Sequence, residues 1–347
     1  MSDRPYAPSW LDRLTDAVAR LPGPYWLYYL IVGILLALGR TIIGWIDSSY
    51  PVGTFFAVHV IDGLIPAYFL FAMHLLDDLA RRAMADYRPR LRGGDAEYEE
   101  LTHRLTTMPF RTSLVIGILA IVEGAIYIPL LLSPVDIAAS HYLTSPAATV
   151  ADTVLSLLAG LFMVTFGFHT LRQLWLISRI YTRHTNVSIF DTGGLYALSR
   201  VTAVTAVALL FFTYIYFALY ITNGSINSVI NGVVVALIVL GALLAFVVPL
   251  WGAHRLLQRA KNARQSEVAQ RIEAASDALH AKTDAAAYSD EIGHIKTALD
   301  GLLIERGVVA KASTWPWEPD AVRGVLTAVL LPILIWLVTR VLERFGI

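Results

Sequence analysis

Residues 229–251 read VINGVVVALIVLGALLAFVVPLW, with no charge among them, and residues 252–264 read GAHRLLQRAKNAR, with Arg255, Arg259, Lys261 and Arg264 and no acid. Crossing about 30 Å of hydrocarbon takes about 20 apolar residues, so the first piece is long enough to span a bilayer. The second is the kind of basic flank that stays on the cytoplasmic side. This one junction sets the fold class: a helix that crosses a membrane and continues into the cytoplasm.

The rest of the chain agrees. Of its 347 residues 56% are hydrophobic and 16% charged, and the mean hydropathy is +0.59, which excludes an ordinary soluble protein. Lys plus Arg and Asp plus Glu are both 27, so no basic excess points to nucleic acid. With no cysteine there is no disulfide framework, thiolate chemistry or Cys-ligated zinc.

Scanning outward from 229–251 gives six further spans, at 25–46, 54–76, 112–132, 154–176, 201–221 and 324–342. The expectation is an all-α polytopic membrane protein with seven transmembrane helices, the N-terminus in and the C-terminus out. The first, third and fifth connections (47–53, 133–153 and 222–228) hold no Lys or Arg, whereas the second alone holds seven arginines. That asymmetry turns the second, fourth and sixth connections inward, in what is expected to be a plasma (inner) membrane. Trp26, Trp45, Trp175, Trp251, Trp315 and Trp317 fall at or near span ends, where an amphipathic ring is best placed.

Four regions follow. Residues 1–24 contain Trp10, Leu14 and Val18 at four-residue steps with Ser9 as N-cap, which predicts an amphipathic helix on the membrane surface rather than a signal peptide. Residues 25–251 form a six-helix bundle with a charged cytoplasmic connection, 77–111, broken at Gly93 and Gly94 and bearing the stripe Tyr98, Leu101, Leu105. Residues 252–313 form a cytoplasmic helical hairpin: Val268, Ile272, Ala275 and Leu279 on one arm, Ile292, Ile295, Leu299 and Leu302 on the other. Residues 314–347 are a Trp-rich elbow around Pro316 and a last span that Pro332 kinks, making these prolines hinge candidates.

Charges inside a span cost about 2.5–3.5 kcal/mol each and need partners. Arg40 lies six residues before the outer end of the first span, Asp62 eight into the second and Glu123 nine before the outer end of the third, at depths of roughly 9, 12 and 13 Å. His59 shares the Asp62 face. These four form a predicted outer polar cluster, either a buried ion-pair lock or a vestibule for an ion or proton. At the inner end His74, Asp77 and Asp78 share one face and meet His169 and Arg172 of the fourth span; His74 with Asp78 is too small a set to make a metal site. Arg255, Arg259, Lys261 and Arg264 are candidates for anionic lipid headgroups.

No phosphate loop, dinucleotide fingerprint, nucleophile elbow or zinc-protease motif occurs, so no catalytic residue, cofactor or metal is assigned. The outline is the reverse of a G-protein-coupled receptor. The progestin-receptor and alkaline-ceramidase hydrolases need a histidine pair near the end of the chain, and no histidine follows His294. In topology alone the chain resembles the insect odorant and gustatory receptor channels, with a cytoplasmic hairpin before a last, pore-lining helix; no motif carries that resemblance. The leading expectation is an oligomeric, channel-like or transport protein among membrane lipids. A sensor or scaffold that docks a cytoplasmic protein through 252–313 comes second, and a membrane-embedded enzyme third.

Overall fold

The computed structural model describes residues 5–131, 145–186, 193–223, 228–284 and 290–344. They are all-helical: α1 Trp10–Ala19, α2 Tyr25–Ile46, α3 Ala57–Tyr87, α4 Asp95–Thr106, α5 Phe110–Leu131, α6 Pro146–Arg183, α7 Gly193–Asn223, α8 Ser228–Asp284, α9 Asp290–Lys311 and α10 Pro319–Arg344. Five helical stretches are long and apolar enough to cross a membrane: Tyr25–Ile46, Ala57–Arg90, Pro146–Arg183, Gly194–Ile215 and Ala236–Thr283. The other two expected spans fall on α5 and α10, and the side chains of 127–131 and 332–344 lie outside the described residues.

Two helices organise the bundle. α3 packs on α2, α6 and α7, while α6 packs on α2, α3, α5 and α8. Small residues bring α2 and α3 together. A Cβ on Gly63 would stand 2.4 Å from the Ala37 amide nitrogen, and one on Gly33 would stand 2.7 Å from Leu64 Cδ2. Gly33 and Ala37 on α2 therefore face Gly63 and Ala67 on α3, spaced i to i+4 on both sides, and the backbones approach more closely than any larger residue allows. On the outward faces Leu30, Ile34 and Leu38 of α2 and Leu114, Ile118 and Leu119 of α5 stay exposed. Such a surface suits lipid and not water.

The arginine-rich end is knitted by backbone and side chains together. Leu91 bridges to Thr185, Arg92 N donates to His184 O at 3.0 Å, and the Tyr87 and Thr185 hydroxyls hydrogen-bond each other beneath them. α4 presses Leu101 and Leu105 into the core there. α1 begins at an N-cap Ser9 with a reciprocal bond from Asp12. It docks on protein: Leu11 is buried in the second core cluster with Phe69, Met73 and Phe166, and Pro8 pairs with Pro109. Of the expected membrane-facing stripe only Leu14 is exposed, while Trp10 and Val18 are half-buried.

α8 runs past Pro249 without a break and continues far beyond the bundle, where α9 folds back along it. Gly252 sits where α8 passes α6, since a Cβ there would meet Thr182 Cγ2 at 2.5 Å. The elbow that follows is a clasp. Trp317 stacks on Phe246 at 5.5 Å, Trp315 on Trp317 at 4.3 Å, and His254 on Trp315 at 3.9 Å. Arg200 of α7 holds Glu318 by two hydrogen bonds, so the buried Pro316 lies in a joint pinned on both sides. α10 stays helical through position 332, whose side chain lies outside the described residues.

Candidate functional site

At the arginine-poor end, α2, α3 and α6 build a polar layer inside the apolar bundle. Arg40 is buried and grips Asp152 of α6 with two guanidinium nitrogens: Nε holds one carboxylate oxygen and Nη2 the other, at 2.9 Å. A second tie links the same helices, because Ser145, the N-cap of α6, donates to Asp47 just past α2. The Ser145 and Ser49 hydroxyls hold the Asp47 carboxyl below its usual value. Tyr50 closes the layer from above. Its hydroxyl donates to Thr41 O at 3.2 Å and lies 3.3 Å from His59 Nδ1, and it fits because residue 44 is glycine, where a Cβ would collide with the ring.

The expected partners of Arg40 are thus corrected. Its carboxylate partner is Asp152, which the hydropathy reading left in a connection. The reason is local: Ser145 and Pro146 supply an N-cap and a first-turn proline, so α6 starts eight residues before the apolar run. Asp152 then lies six residues, roughly 9 Å, inside the helix, matching Arg40 six residues before the end of α2. The Ser-Pro pair was the legible signal.

Asp62 stays near the pair, within electrostatic reach of both members, but accepts no hydrogen bond among the described residues. His59 shares its helix and is buried. Glu123 is not part of the layer. α5 turns Ser113, Gly117, Ala120 and Gly124 inward, with Gly117 and Gly124 against Leu161 and Leu157 of α6, and Glu123 is left exposed on the other side. An apolar span reveals depth but not which way each face points, so a depth match alone over-collected the cluster.

The basic set within α8, just beyond its apolar run, divides. Arg255 and Arg259 are exposed. Lys261 instead donates to Ala310 O at 2.7 Å and Ala312 O at 2.9 Å, satisfying carbonyls at the end of α9. Arg264 bonds Glu267 and Glu305. Two of the four headgroup candidates therefore serve the hairpin, since α9 returns its acidic and carbonyl-rich end to that point.

At the arginine-rich end a second polar layer is fully enclosed. Asp77, His74, His169 and Gln173 are all buried. His169 Nε2 lies 2.9 Å from Asp77 Oδ1, Gln173 Nε2 donates to Leu105 O at 3.3 Å, and Tyr29 Oη lies 2.9 Å from His74 Nδ1. Asp78 is drawn off to Arg82, so the residues that share a face at this end of α3 take separate partners. Beside this layer, α1, α3 and α4 border an open cleft of about 990 Å³ lined by Asp12, Asp16, Arg81, Glu99 and His103 among others. Among the described residues no group of three His, Asp or Glu is placed to hold a metal.

The fold and these layers define an all-helical protein with several helices compatible with membrane crossing and charged groups held between them. Comparison with protein-family models, curated proteins and solved structures finds no significant match.

Proposed function

We propose that this chain is a multipass membrane protein of transport or channel-like function, with seven spans and the arginine-rich end in the cytoplasm. It moves, or is driven by, a proton or small cation that binds at the layer formed by α2, α3 and α6. The observation that carries this reading is Asp62. A structural lock needs one positive and one negative group, and Arg40 with Asp152 already supplies both. Asp62 is a further carboxylate at the same depth that accepts no hydrogen bond among the described residues, at an insertion cost of about 2.5–3.5 kcal/mol. When ionised it leaves the intramembrane trio of Arg40, Asp152 and Asp62 one negative charge in excess, which a proton or cation neutralises.

Assembly into a homo-oligomer is part of the reading. Glu123 is exposed on an otherwise apolar helix face, where lipid offers it nothing and a second subunit offers hydrogen bonds. The hairpin 252–313 serves as the assembly or gating element, clamped to α10 through the tryptophan stack.

The test is flux in proteoliposomes loaded with a pH- or cation-sensitive dye, alongside planar-bilayer recordings over voltage, tension and lipid composition. Wild-type protein is expected to carry a proton or cation current that Asp62→Asn reduces at least tenfold with an unchanged melting temperature. Silence of the wild type for every ion, or full flux in Asp62→Asn, sinks the reading. A second reading, a sensor or scaffold, is favoured by the exposed face of α9, where Leu303, Ile304 and Val308 are 46%, 70% and 52% accessible. It gains if Ile304→Glu leaves both oligomeric state and flux unchanged.

A further inference from the structure

α3 carries the same spacing twice: His59 with Asp62, and His74 with Asp77. The two aspartates are fifteen residues apart, roughly 22 Å of helix rise. Each layer is completed from α6, Asp152 contributing to the first and His169 with Gln173 to the second. Between the layers lie Phe69, Met73, Phe162 and Phe166, all buried, with the Phe69 and Phe166 rings 5.4 Å apart. The bundle is thus a polar layer, an apolar plug and a second polar layer.

The second layer is incomplete in a specific way. Asp77 Oδ1 faces His169 Nε2 at 2.9 Å and Gln173 Nε2 at 3.4 Å. His169 is 1% exposed and Gln173 0%, yet His169 Nδ1 and Gln173 Oε1 have no hydrogen-bond partner among the described residues. Buried polar atoms are nearly always bonded, and an orphan needs an explanation. With Nε2 donating to the carboxylate, the neutral imidazole leaves Nδ1 as a bare acceptor. Gln173 Oε1 is an acceptor as well. What both atoms lack is a hydrogen.

The charges around them point the same way. Asp77 comes from α3, Asp12 from α1 and Arg172 from α6 itself; near this point α4 presents the Leu105 carbonyl, bonded to Gln173, and the connection from α4 to α5 presents the Met108 amide, bonded to Asp12. With His169 neutral, Asp77 is a buried carboxylate without a cationic partner of its own. One proton added at Nδ1 turns the pair into imidazolium and carboxylate, neutral overall, and converts an orphan acceptor into a donor.

We propose that Asp77 and His169 form a second proton-binding site, at the arginine-rich end of α3 and in series with Asp62 across the apolar plug. The binding site stands on its own geometry; its place in series rests on the reading of Asp62 given above. Proton gain and loss at Nδ1 breaks no covalent bond and needs no co-reactant other than water.

The full-length wild-type protein provides the test. Phe168 and His169 are the chain's one Phe-His pair, so carbonyl-labelled phenylalanine with histidine labelled at both backbone and ring nitrogens and carbons selects His169 in solid-state NMR of the lipid-reconstituted protein. His169 Nδ1 is expected to pass from bare acceptor to N–H as pH is lowered from 9 to 4, and Asp77→Asn is expected to lower that midpoint by at least one unit. A His169 ring that keeps one protonation state over the whole range, or a midpoint unmoved by Asp77→Asn, overturns the site. Proteoliposome proton flux tests the series separately: Asp77→Asn is expected to reduce it at least tenfold, and undiminished flux overturns that link. Loss of flux in Asp77→Asn but not in Asp62→Asn retains the inner site and rejects the reading of Asp62.

Discussion

One guanidinium grips both oxygens of a carboxylate on another helix: Arg40 Nη2 lies 2.9 Å from Asp152 Oδ2 while Nε holds Oδ1. The Arg40 side chain is 1% exposed and that of Asp152 18%. Removing one member of so enclosed a pair strands the other, at a cost of about 3–5 kcal/mol. Asp152→Ala is therefore expected to lower thermal stability in detergent sharply, and Asp62→Asn hardly at all. Exchanging the two charges, with Arg40→Asp and Asp152→Arg together, should recover part of the loss. Equal destabilisation by Asp62→Asn and Asp152→Ala would mean that Asp62 belongs to the lock.

The α2 to α3 contact should be intolerant of a single methyl group. A Cβ at residue 63 would fall 2.4 Å from Ala37 N and 2.7 Å from its Cα, atoms that cannot swing aside, whereas nothing lies within 4 Å of a Cβ at residue 39. Gly63→Ala is expected to destabilise by about 1–3 kcal/mol through forced backbone separation. Gly39→Ala, on the same pair of helices, should be neutral or slightly stabilising. Thermal unfolding of both variants in one detergent decides it.

Docking of α1 should depend on pH through Asp12. Its Oδ2 accepts from Ser9 N and Ser9 Oγ at 2.8 Å each and from Met108 N at 3.0 Å, and burial raises its carboxyl above the ordinary carboxylate value despite those bonds. The folded state then holds the Asp12 proton more tightly than the unfolded state, so its contribution to stability falls as pH rises from the ordinary carboxylate value through the raised one. Because all three bonds land on Oδ2, a proton can occupy Oδ1 without breaking them. Hydrogen-exchange protection of α1 and of the Met108 amide, corrected for intrinsic rates, should decline over that window. Asp12→Asn should flatten the dependence.

The basic residues of α8 that follow its apolar run should separate by role. Lys261→Ala removes both bonds to the carbonyls of Ala310 and Ala312 and is expected to fray the last turn of α9, visible as lost amide protection there, with little change in lipid binding. Replacing the exposed Arg255 and Arg259 by glutamate should instead reduce retention of anionic lipid during purification while leaving the hairpin folded. The exposed Lys282–Glu291 pair contributes little by comparison, so raising salt should not open the hairpin.

Apolar periodicity alone was enough to recognise an all-helical chain with membrane-length helices, because about 20 uncharged residues in a row have few other stable states. Capping chemistry was equally legible. Ser9 does begin α1, since a side-chain oxygen accepting a first-turn amide is a local interaction; Ser145 begins α6 by the same chemistry, although apolar periodicity placed the start of that span at 154. The i to i+4 spacing of Gly33 with Ala37 is visible in the sequence, but that Gly63 with Ala67 faces it is a fact of packing.

Partner choice was decided only in three dimensions. Depth along a helix is one coordinate, and rotation about its axis and the identity of its neighbour are two more that a single sequence does not contain. Arg40 therefore took Asp152 rather than Asp62, Glu123 turned away, and Lys261 and Arg264 bonded α9 instead of facing the membrane. The buried layer of Asp77, His169 and Gln173 has the same origin: its residues lie up to 96 positions apart, and only the packing of α6 on α3 closes it away from solvent.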